Sequence, residues 1–294
     1  MNTAPLGRHY EVNGRRLLLD RQGTGTPSVV FLPGAGLVGL DFWNLQQRVA
    51  RRTTSVVYDR GGTGWSEAGE WPRTATAVAD ELAELLDVAA VPGPYVLVGH
   101  SLGGAYARRF AQRHGARVAG LVLVETLHED WDDVMPEPLR LAGQPPAEES
   151  MPEFSAELVE RFRGIFTASY ADWPQRLRNI LVERRLDPAL LLRGLQENRT
   201  GASIVEELRT GGPVPDVPVV VLTALGTDPG QALFLSEEEL AAMNEAKLKL
   251  YAGVAAAHGG EHRVLDTGGH SSVHTDRPDD VAGAIDAVLD QLQV

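Results

Sequence analysis

Short runs of apolar residues alternate with amphipathic stretches along most of the chain. Continuous apolar runs of this length are typical of strands that are buried on both faces of a sheet. Five are found, at Ser28–Leu32, Thr54–Tyr58, Tyr95–Val98, Ala119–Val124 and Val217–Leu222, and a last short strand is predicted at Glu261–Leu265. Between them lie segments with helical spacing, the clearest of which is Thr74–Val91.

This alternation predicts an α/β fold with a mainly parallel, twisted sheet and helices on both of its faces. The first strands differ, because Asn13-Gly14 divides the segment Arg8–Gln22 into two short runs. Asn-Gly is the strongest short signal for a two-residue hairpin turn. We therefore expect an antiparallel edge on the parallel sheet.

The pattern changes between residues 129 and 215. This stretch has several prolines and no strong strand, and helices are expected around Ala156–Ser169, Gln175–Arg185 and Ile204–Arg209. We interpret it as an inserted helical cap whose aromatic residues partly line an apolar substrate chamber. The predicted division is therefore core 1–128, cap 129–215 and core 216–294.

Composition narrows the function classes. The chain has 294 residues and a formal net charge of −13, with no basic patch, so nucleic acid is not an expected partner. It has no cysteine, which excludes disulfides, thiolate metal sites and a cysteine nucleophile. The N-terminus lacks the apolar segment of a signal peptide, and no apolar run is long enough to span a bilayer. We expect a soluble cytoplasmic protein without a membrane partner, and the oligomeric state stays open.

The most informative motif is Gly99-His-Ser101-Leu-Gly103-Gly104, which stands between an apolar strand and a helical segment. A strand, G-x-S-x-G and a helix make up a nucleophile elbow, in which a tight turn exposes the serine hydroxyl. Only small residues fit beside such a serine. The helix N-terminus that follows favours negative charge that develops on a substrate oxygen. We therefore predict Ser101 as a nucleophile.

Four motifs occur in order along the chain: Pro33–Gly36, Asp59–Ser66, Gly99–Gly104 and Gly269-His270. Together they resemble the α/β-hydrolase superfamily over essentially the whole chain apart from the cap. The resemblance implies a serine hydrolase with His270 as general base, in the chain order serine, acid, histidine. It also implies that Asp59–Ser66 is a structural loop, in which the aspartate and the arginine tie neighbouring loops together.

Two carboxylates compete for the role of the triad acid. Glu125 follows the strand Ala119–Val124, a position that some members of the superfamily use for their acid. Asp228 follows the strand Val217–Leu222, where many other members have it, but it stands in Gly226-Thr-Asp-Pro229, which is also good turn chemistry. We favour Glu125 and keep Asp228 as the alternative.

The oxyanion hole is expected to use the backbone N–H groups of Leu102 and Ala35. The expected reaction is hydrolysis of a small or medium, largely apolar ester, lactone or thioester through an acyl-enzyme. Amide, peptide or C–C bond hydrolysis on the same triad remains possible, and a small-molecule receptor on a hydrolase scaffold is the alternative of another class. No metal-ligand cluster or Walker pattern is present, so neither a metal nor an organic cofactor is expected.

Overall fold

The computed structural model describes residues 4–143 and 154–294. Within them, eight strands form one sheet in the order β1-β2-β4-β3-β5-β6-β7-β8. Strands β3 to β8 run parallel, and β1 and β2 are antiparallel to their neighbours. The strands are β1 Arg8–Val12, β2 Arg15–Gln22, β3 Ser28–Leu32, β4 Ser55–Tyr58, β5 Tyr95–His100, β6 Val118–Val124, β7 Val219–Ala224 and β8 Glu261–Leu265. The α/β class predicted from the apolar runs is confirmed.

The hairpin at the edge forms where the sequence predicts it. Val12 pairs with Arg15, so Asn13 and Gly14 are the two turn residues. Both have positive φ, at 51° and 72°. A turn with positive φ at both central positions matches the right-handed twist of the strands, which explains the choice of Asn-Gly.

Helices cover both faces of the sheet. The apolar core is divided into two clusters, one on each face of the sheet. Val30 and Leu32 of β3 pack into the first cluster, and Val29 and Phe31, which alternate with them, pack into the second. The first cluster lies under α2, α3 and α9, and the second lies under α1 and α11. These helices are α1 Trp43–Val49, α2 Ala75–Val88, α3 Leu102–Arg113, α9 Glu237–Ala257 and α11 Pro278–Gln291; a short α10 covers Val273–Asp276.

One predicted helix begins later than expected. The sequence suggests a helix over 41–52, whereas the chain makes a 3₁₀ turn at Gly39–Phe42 before α1. The Asp41 carboxylate accepts a hydrogen bond from the backbone N–H of Val38 at 2.6 Å. This bond closes a tight turn with Asp41 inside it and delays the regular helix.

The segment between β6 and β7 is helical and, over its described residues, contains no strand. Two helices occur at the predicted bounds, Ala156–Ser169 and Gln175–Arg185, and the third is longer than predicted, at Gly201–Arg209. A fourth, Pro188–Arg199, was not predicted. With the short Trp131–Val134 they are α4 to α8 in chain order. Part of the predicted cap, residues 144–153, lies outside the described residues, and its boundaries stay a prediction.

Over residues 4–143 and 154–294, no helix is both long and apolar enough to cross a membrane.

Candidate active site

The elbow between β5 and α3 holds Ser101 in a strained backbone conformation. Its φ is 52° and its ψ is −123°, a region that residues with a side chain rarely adopt. The flanking glycines are needed for space. A Cβ at Gly103 would lie 2.0 Å from the carbonyl oxygen of Leu32, and a Cβ at Gly99 would lie 2.5 Å from the Cα of Gly104. The turn therefore requires glycine two positions before and two positions after the serine.

His270 lies between Ser101 and Glu125. Its Nε2 is 3.1 Å from the Ser101 hydroxyl oxygen, and its Nδ1 is 3.0 Å from Glu125 Oε2. The three residues come from the ends of three chain segments, since Ser101 follows β5, Glu125 follows β6 and His270 follows β8. Hydrogen bonds at these distances let an imidazole accept a proton from the serine while a carboxylate holds its other nitrogen.

The Glu125 side chain is fully buried and bound at both oxygens. Oε1 accepts a hydrogen bond from the backbone N–H of Ala224 at 2.8 Å. Oε2 lies 2.7 Å from Nζ of Lys247. Burial raises the pKa of a carboxyl group, but here the hydrogen bond with His270 and the charge of Lys247 outweigh it and lower the pKa of Glu125 to about 2. Glu125 is therefore ionised at neutral pH.

Asp228, the alternative acid, makes no hydrogen bond with the His270 ring among the described residues. Its carboxylate is buried and accepts hydrogen bonds from the backbone N–H groups of Gln231 and Ser271. It therefore braces the loop that carries His270 instead of binding the imidazole. Of the two carboxylates, the geometry places Glu125 next to the ring.

The loop after β3 passes close to the serine. A Cβ on Gly34 would lie 3.1 Å from the Cβ of Ser101. Arg60 holds this loop by donating hydrogen bonds to the carbonyl oxygens of Pro33 and Gly34. Ala35, the expected second oxyanion donor, belongs to this braced loop, and Leu102, the expected first donor, begins α3.

Arg60 also joins the loop to α7. Its guanidinium and the Glu197 carboxylate form a buried ion pair at 2.9 Å, and Glu197 Oε2 accepts a hydrogen bond from the N–H of Gly36. Asp59 accepts hydrogen bonds from the N–H groups of Gly39 and Trp65, and burial raises its pKa to about 6. Both side chains tie loops together, as expected of this motif.

Two cavities that share lining residues lie at the site. One, of about 370 Å³, is bordered by Ser101 and His270, and the other, of about 290 Å³, is bordered by Ala35. They share Asn198 and Gln231. The smaller one is lined by aromatic residues expected to belong to the cap, namely Phe154, Phe162, Phe166 and Tyr170. In the same region of the chain, Trp131 borders the larger cavity, and Met135 and Trp173 are buried in apolar clusters.

Two further histidines lie next to the site. His100 Nε2 is 2.8 Å from the carbonyl oxygen of His270, and burial lowers the pKa of His100 to about 3. His274 is buried against the ring of Phe42, and burial lowers its pKa well below the usual value. Neither contacts Ser101 Oγ or Glu125 by a hydrogen bond among the described residues. Both therefore pack beneath the site as neutral side chains.

Two buried residues were not predicted from the sequence. Lys247 lies on the inner face of α9, and Glu197 lies on the helix that was not predicted. The sequence signal that could have identified Lys247 is a lysine at an inward-facing position of a helix whose other inward-facing positions are apolar. In the part of the chain that the structure describes, no group of three or more His, Asp or Glu side chains is arranged to hold a metal ion.

Comparison with known proteins gives the same fold. A family model described as the alpha/beta hydrolase family matches residues 29–284. The structure is similar to an esterase of Thermogutta terrifontis, with a TM-score of 0.61, 20% identity and coverage of 97% of this chain and 98% of that one. It is also similar to an epoxide hydrolase variant of Vigna radiata, with a TM-score of 0.68, 18% identity and coverage of 97% and 98%.

In sequence, the chain is 41% identical over 111 residues to a pimeloyl-[acyl-carrier protein] methyl ester esterase of Chromobacterium violaceum. This match covers 37% of the chain and 41% of the relative. The chain likewise spans less than half the length of the first curated relatives that it matches. The similarities with solved structures, at 20% identity or less, describe the fold and not the substrate.

Proposed function

The chain belongs to the alpha/beta hydrolase family, and on this premise we propose that it is a serine hydrolase. The proposed substrate is a small or medium, largely apolar ester, lactone or thioester. The observation that carries the proposal is the pair of hydrogen-bond distances on His270, 3.1 Å to Ser101 Oγ and 3.0 Å to Glu125 Oε2.

In the proposed first step, Ser101 Oγ attacks the acyl carbonyl while its proton passes to His270 Nε2. The imidazolium that forms is stabilised by the ionised Glu125, which also holds the Nδ1–H tautomer. The oxygen of the tetrahedral intermediate is bound by the backbone N–H groups of Leu102 and Ala35. His270 returns the proton to the leaving group.

The second step releases the acyl group. A water molecule gives a proton to His270 Nε2 and attacks the acyl carbonyl, and the Ser101 ester bond then breaks as the serine regains its proton. The acid product leaves and the resting triad is restored. This mechanism uses the three side chains, the two backbone N–H groups and one water molecule.

The apolar character of the substrate is supported by the lining of the smaller cavity. Its aromatic residues, with Ile165 and Leu190, form an apolar wall beside Ala35. Two adjoining cavities suit a substrate whose two parts extend to either side of the reacting carbonyl. We propose that residues 129–215 form a cap that encloses these cavities.

Other reactions on the same triad are amide or peptide hydrolysis and C–C bond hydrolysis. Epoxide hydrolases and haloalkane dehalogenases are disfavoured, because both use an aspartate where this chain has Ser101. The alternative of another class is a small-molecule receptor on a hydrolase scaffold. It would bind a ligand in the cavities without turnover.

A panel of p-nitrophenyl esters, from acetate to decanoate, tests the proposal. We expect turnover with a preferred acyl length, and no turnover above the blank for the Ser101→Ala variant. Tight binding of an apolar ligand without turnover of any ester, thioester or lactone would favour the receptor. Equal rates for wild type and Ser101→Ala would refute the serine mechanism.

A further inference from the structure

A buried lysine contacts the carboxylate that holds the proposed base. Lys247 lies in the middle of α9, and its side chain is 3% exposed. Its Nζ donates hydrogen bonds to Glu125 Oε2 at 2.7 Å and to the carbonyl oxygen of Ala224 at 2.8 Å. The contact joins α9 to the ends of β6 and β7, next to the elbow.

Lys247 shares its carboxylate oxygen with His270. Glu125 Oε2 is 3.0 Å from His270 Nδ1 and 2.7 Å from Lys247 Nζ, whereas Oε1 is occupied by the N–H of Ala224. Ala224 therefore binds the ion pair from both sides, its N–H to the carboxylate and its carbonyl oxygen to the ammonium. Rotating the Glu125 carboxyl group would break bonds at both of its oxygens.

A lysine at this position has a cost that calls for an explanation. The neighbouring inner positions of α9, Met243, Leu250, Tyr251 and Val254, are apolar and buried. Removing an ammonium group from water is expensive and is offset only by a close counter-charge. Glu125 already has partners in Ala224 and His270, so the lysine is not needed to satisfy it. Its added contribution is a fixed position and a positive charge.

We propose that Lys247 is a positioning residue that locks the Glu125 carboxylate against His270 and, by sharing Oε2 with the imidazole, weakens His270 as a base. The inference deepens the proposed function and rests on it, since His270 is the base only in that reaction. Protonated His270 and Lys247 would both be cations on one oxygen and would repel each other. Removing the charge of Lys247 should therefore make the imidazolium of His270 easier to form.

Three other ionisable side chains near this cluster have pKa values that burial moves away from neutral pH. Burial lowers the pKa of His100 to about 3 and that of His274, on α10, well below its usual value. Burial raises the pKa of Tyr251, on α9, well above its usual value. Asp228, on the loop after β7, accepts two backbone hydrogen bonds.

An NMR titration of the His270 ring tests the inference without a substrate. The signal is assigned by its loss in a His270→Gln variant, and its titration midpoint is compared between wild type and Lys247→Met. Methionine has similar length and no charge. We expect the midpoint to rise by about one pH unit or more, the effect of removing one nearby like charge. The acidic limb of a kcat/KM profile for ester hydrolysis should move in the same direction.

Lys249→Met is the matched control, because Lys249 lies on the same helix, is exposed and pairs with Glu245. It should leave the midpoint where it is in wild type. Lys247→Gln, which keeps a donor without the charge, should shift the midpoint in the same direction as Lys247→Met. Lys247→Arg, which keeps the charge, should restore it towards wild type.

An unchanged or lowered midpoint in the two neutral variants would overturn the inference. If neither folds, as judged by far-UV circular dichroism, Lys247 is a structural residue and the inference is also wrong. Labelling of wild-type Ser101 by a fluorophosphonate tests the proposed function separately. The NMR titration of His270 does not depend on whether Ser101 reacts with the fluorophosphonate. A failure of the Lys247 inference can therefore be distinguished from a failure of the proposed function.

Discussion

Replacing Glu125 by glutamine separates the two candidate acids. The wild-type carboxylate accepts a hydrogen bond from the Ala224 N–H on Oε1 and faces both Lys247 Nζ and His270 Nδ1 with Oε2, whereas a glutamine amide has only one acceptor oxygen. With that oxygen towards Ala224, the amide NH₂ faces Lys247 and the imidazole and favours the His270 tautomer that carries its proton on Nε2 and cannot accept one from Ser101. With the oxygen towards Lys247 and His270, the NH₂ opposes the N–H of Ala224. In both orientations the negative charge that stabilises the imidazolium is lost.

The expected loss of activity follows from the charge that is removed. At the 3.0 Å separation of Glu125 Oε2 and His270 Nδ1, an effective dielectric constant of about 20 gives an attraction of about 5.5 kcal/mol for the imidazolium. This corresponds to a fall of about 10⁴-fold in kcat. Asp228→Asn removes no partner of the imidazole. It should lower kcat by less than about tenfold, because at most a hydrogen bond that braces the His270 loop is weakened.

The assay measures kcat and KM for an ester that wild type hydrolyses, at a pH where His270 is neutral in wild type. Fold is checked first, because Glu125→Gln leaves Lys247 without its counter-charge, which costs about 3–5 kcal/mol of stability. A small loss of kcat in folded Glu125→Gln, together with a large loss in Asp228→Asn, would refute the assignment. Equal, small losses would refute a three-residue mechanism altogether.

Three further predictions concern the elbow, the Arg60–Glu197 ion pair and the Glu125 carboxyl group. Gly103→Ala should lower kcat by about 10²-fold or more, since its Cβ would lie 2.0 Å from the carbonyl oxygen of Leu32 and displace the elbow; ester kinetics measure this. Arg60→Met should lower the free energy of unfolding in urea by about 3–5 kcal/mol, because Glu197 would stay buried without its partner. Wild type should lose about 3 kcal/mol of stability in acid, because the pKa of Glu125 is about 2 in the folded protein and 4.5 ordinarily. A carboxyl group whose pKa is lowered by folding stabilises the folded protein above its ordinary pKa, and this stabilisation is lost as the pH falls. Urea unfolding should therefore show the loss between pH 4.5 and about 2.

Each of these has a result that would contradict it. Gly253→Ala, at an exposed helical site where a Cβ meets nothing within 4 Å, is the control for the elbow and should leave kcat unchanged. Full activity of Gly103→Ala would mean that the elbow is not as tight as described. Unchanged stability of Arg60→Met would show that the buried pair is replaceable. Stability that is constant from pH 5 to 2 would contradict the low pKa of Glu125.

Local patterns were sufficient to predict the elements that carry the elbow. Runs that are apolar on both faces identify β3 to β7 because a parallel sheet buries both faces of its strands. Asn13-Gly14 identifies the hairpin because positive φ is required at both positions. The elbow at Ser101 is recognised in a similar way, since positions 99 and 103, two residues before and after the serine, must be glycine. Each of these signals lies within a few residues of the feature that it predicts.

The features that the sequence left open or did not predict depend on distant contacts. The sequence favours Glu125 over Asp228, but both follow strands, and the positions of the His270 loop and of Ala224 decide which carboxylate meets the imidazole. The Arg60–Glu197 pair joins residues that are 137 positions apart. Lys247 was missed because helical spacing shows that a position faces inward and does not show which charge it meets there. Pairings of this kind are settled by packing and not by local pattern.

The central claim is that Ser101 is an activated nucleophile. The direct measurement is mass spectrometry of the intact, folded protein after reaction with a fluorophosphonate, followed by peptide mapping. We expect one adduct, on Ser101, that forms slowly in the His270→Gln variant and is absent in the Ser101→Ala variant. The absence of an adduct on the folded wild-type protein, or an adduct that persists in Ser101→Ala, would contradict it.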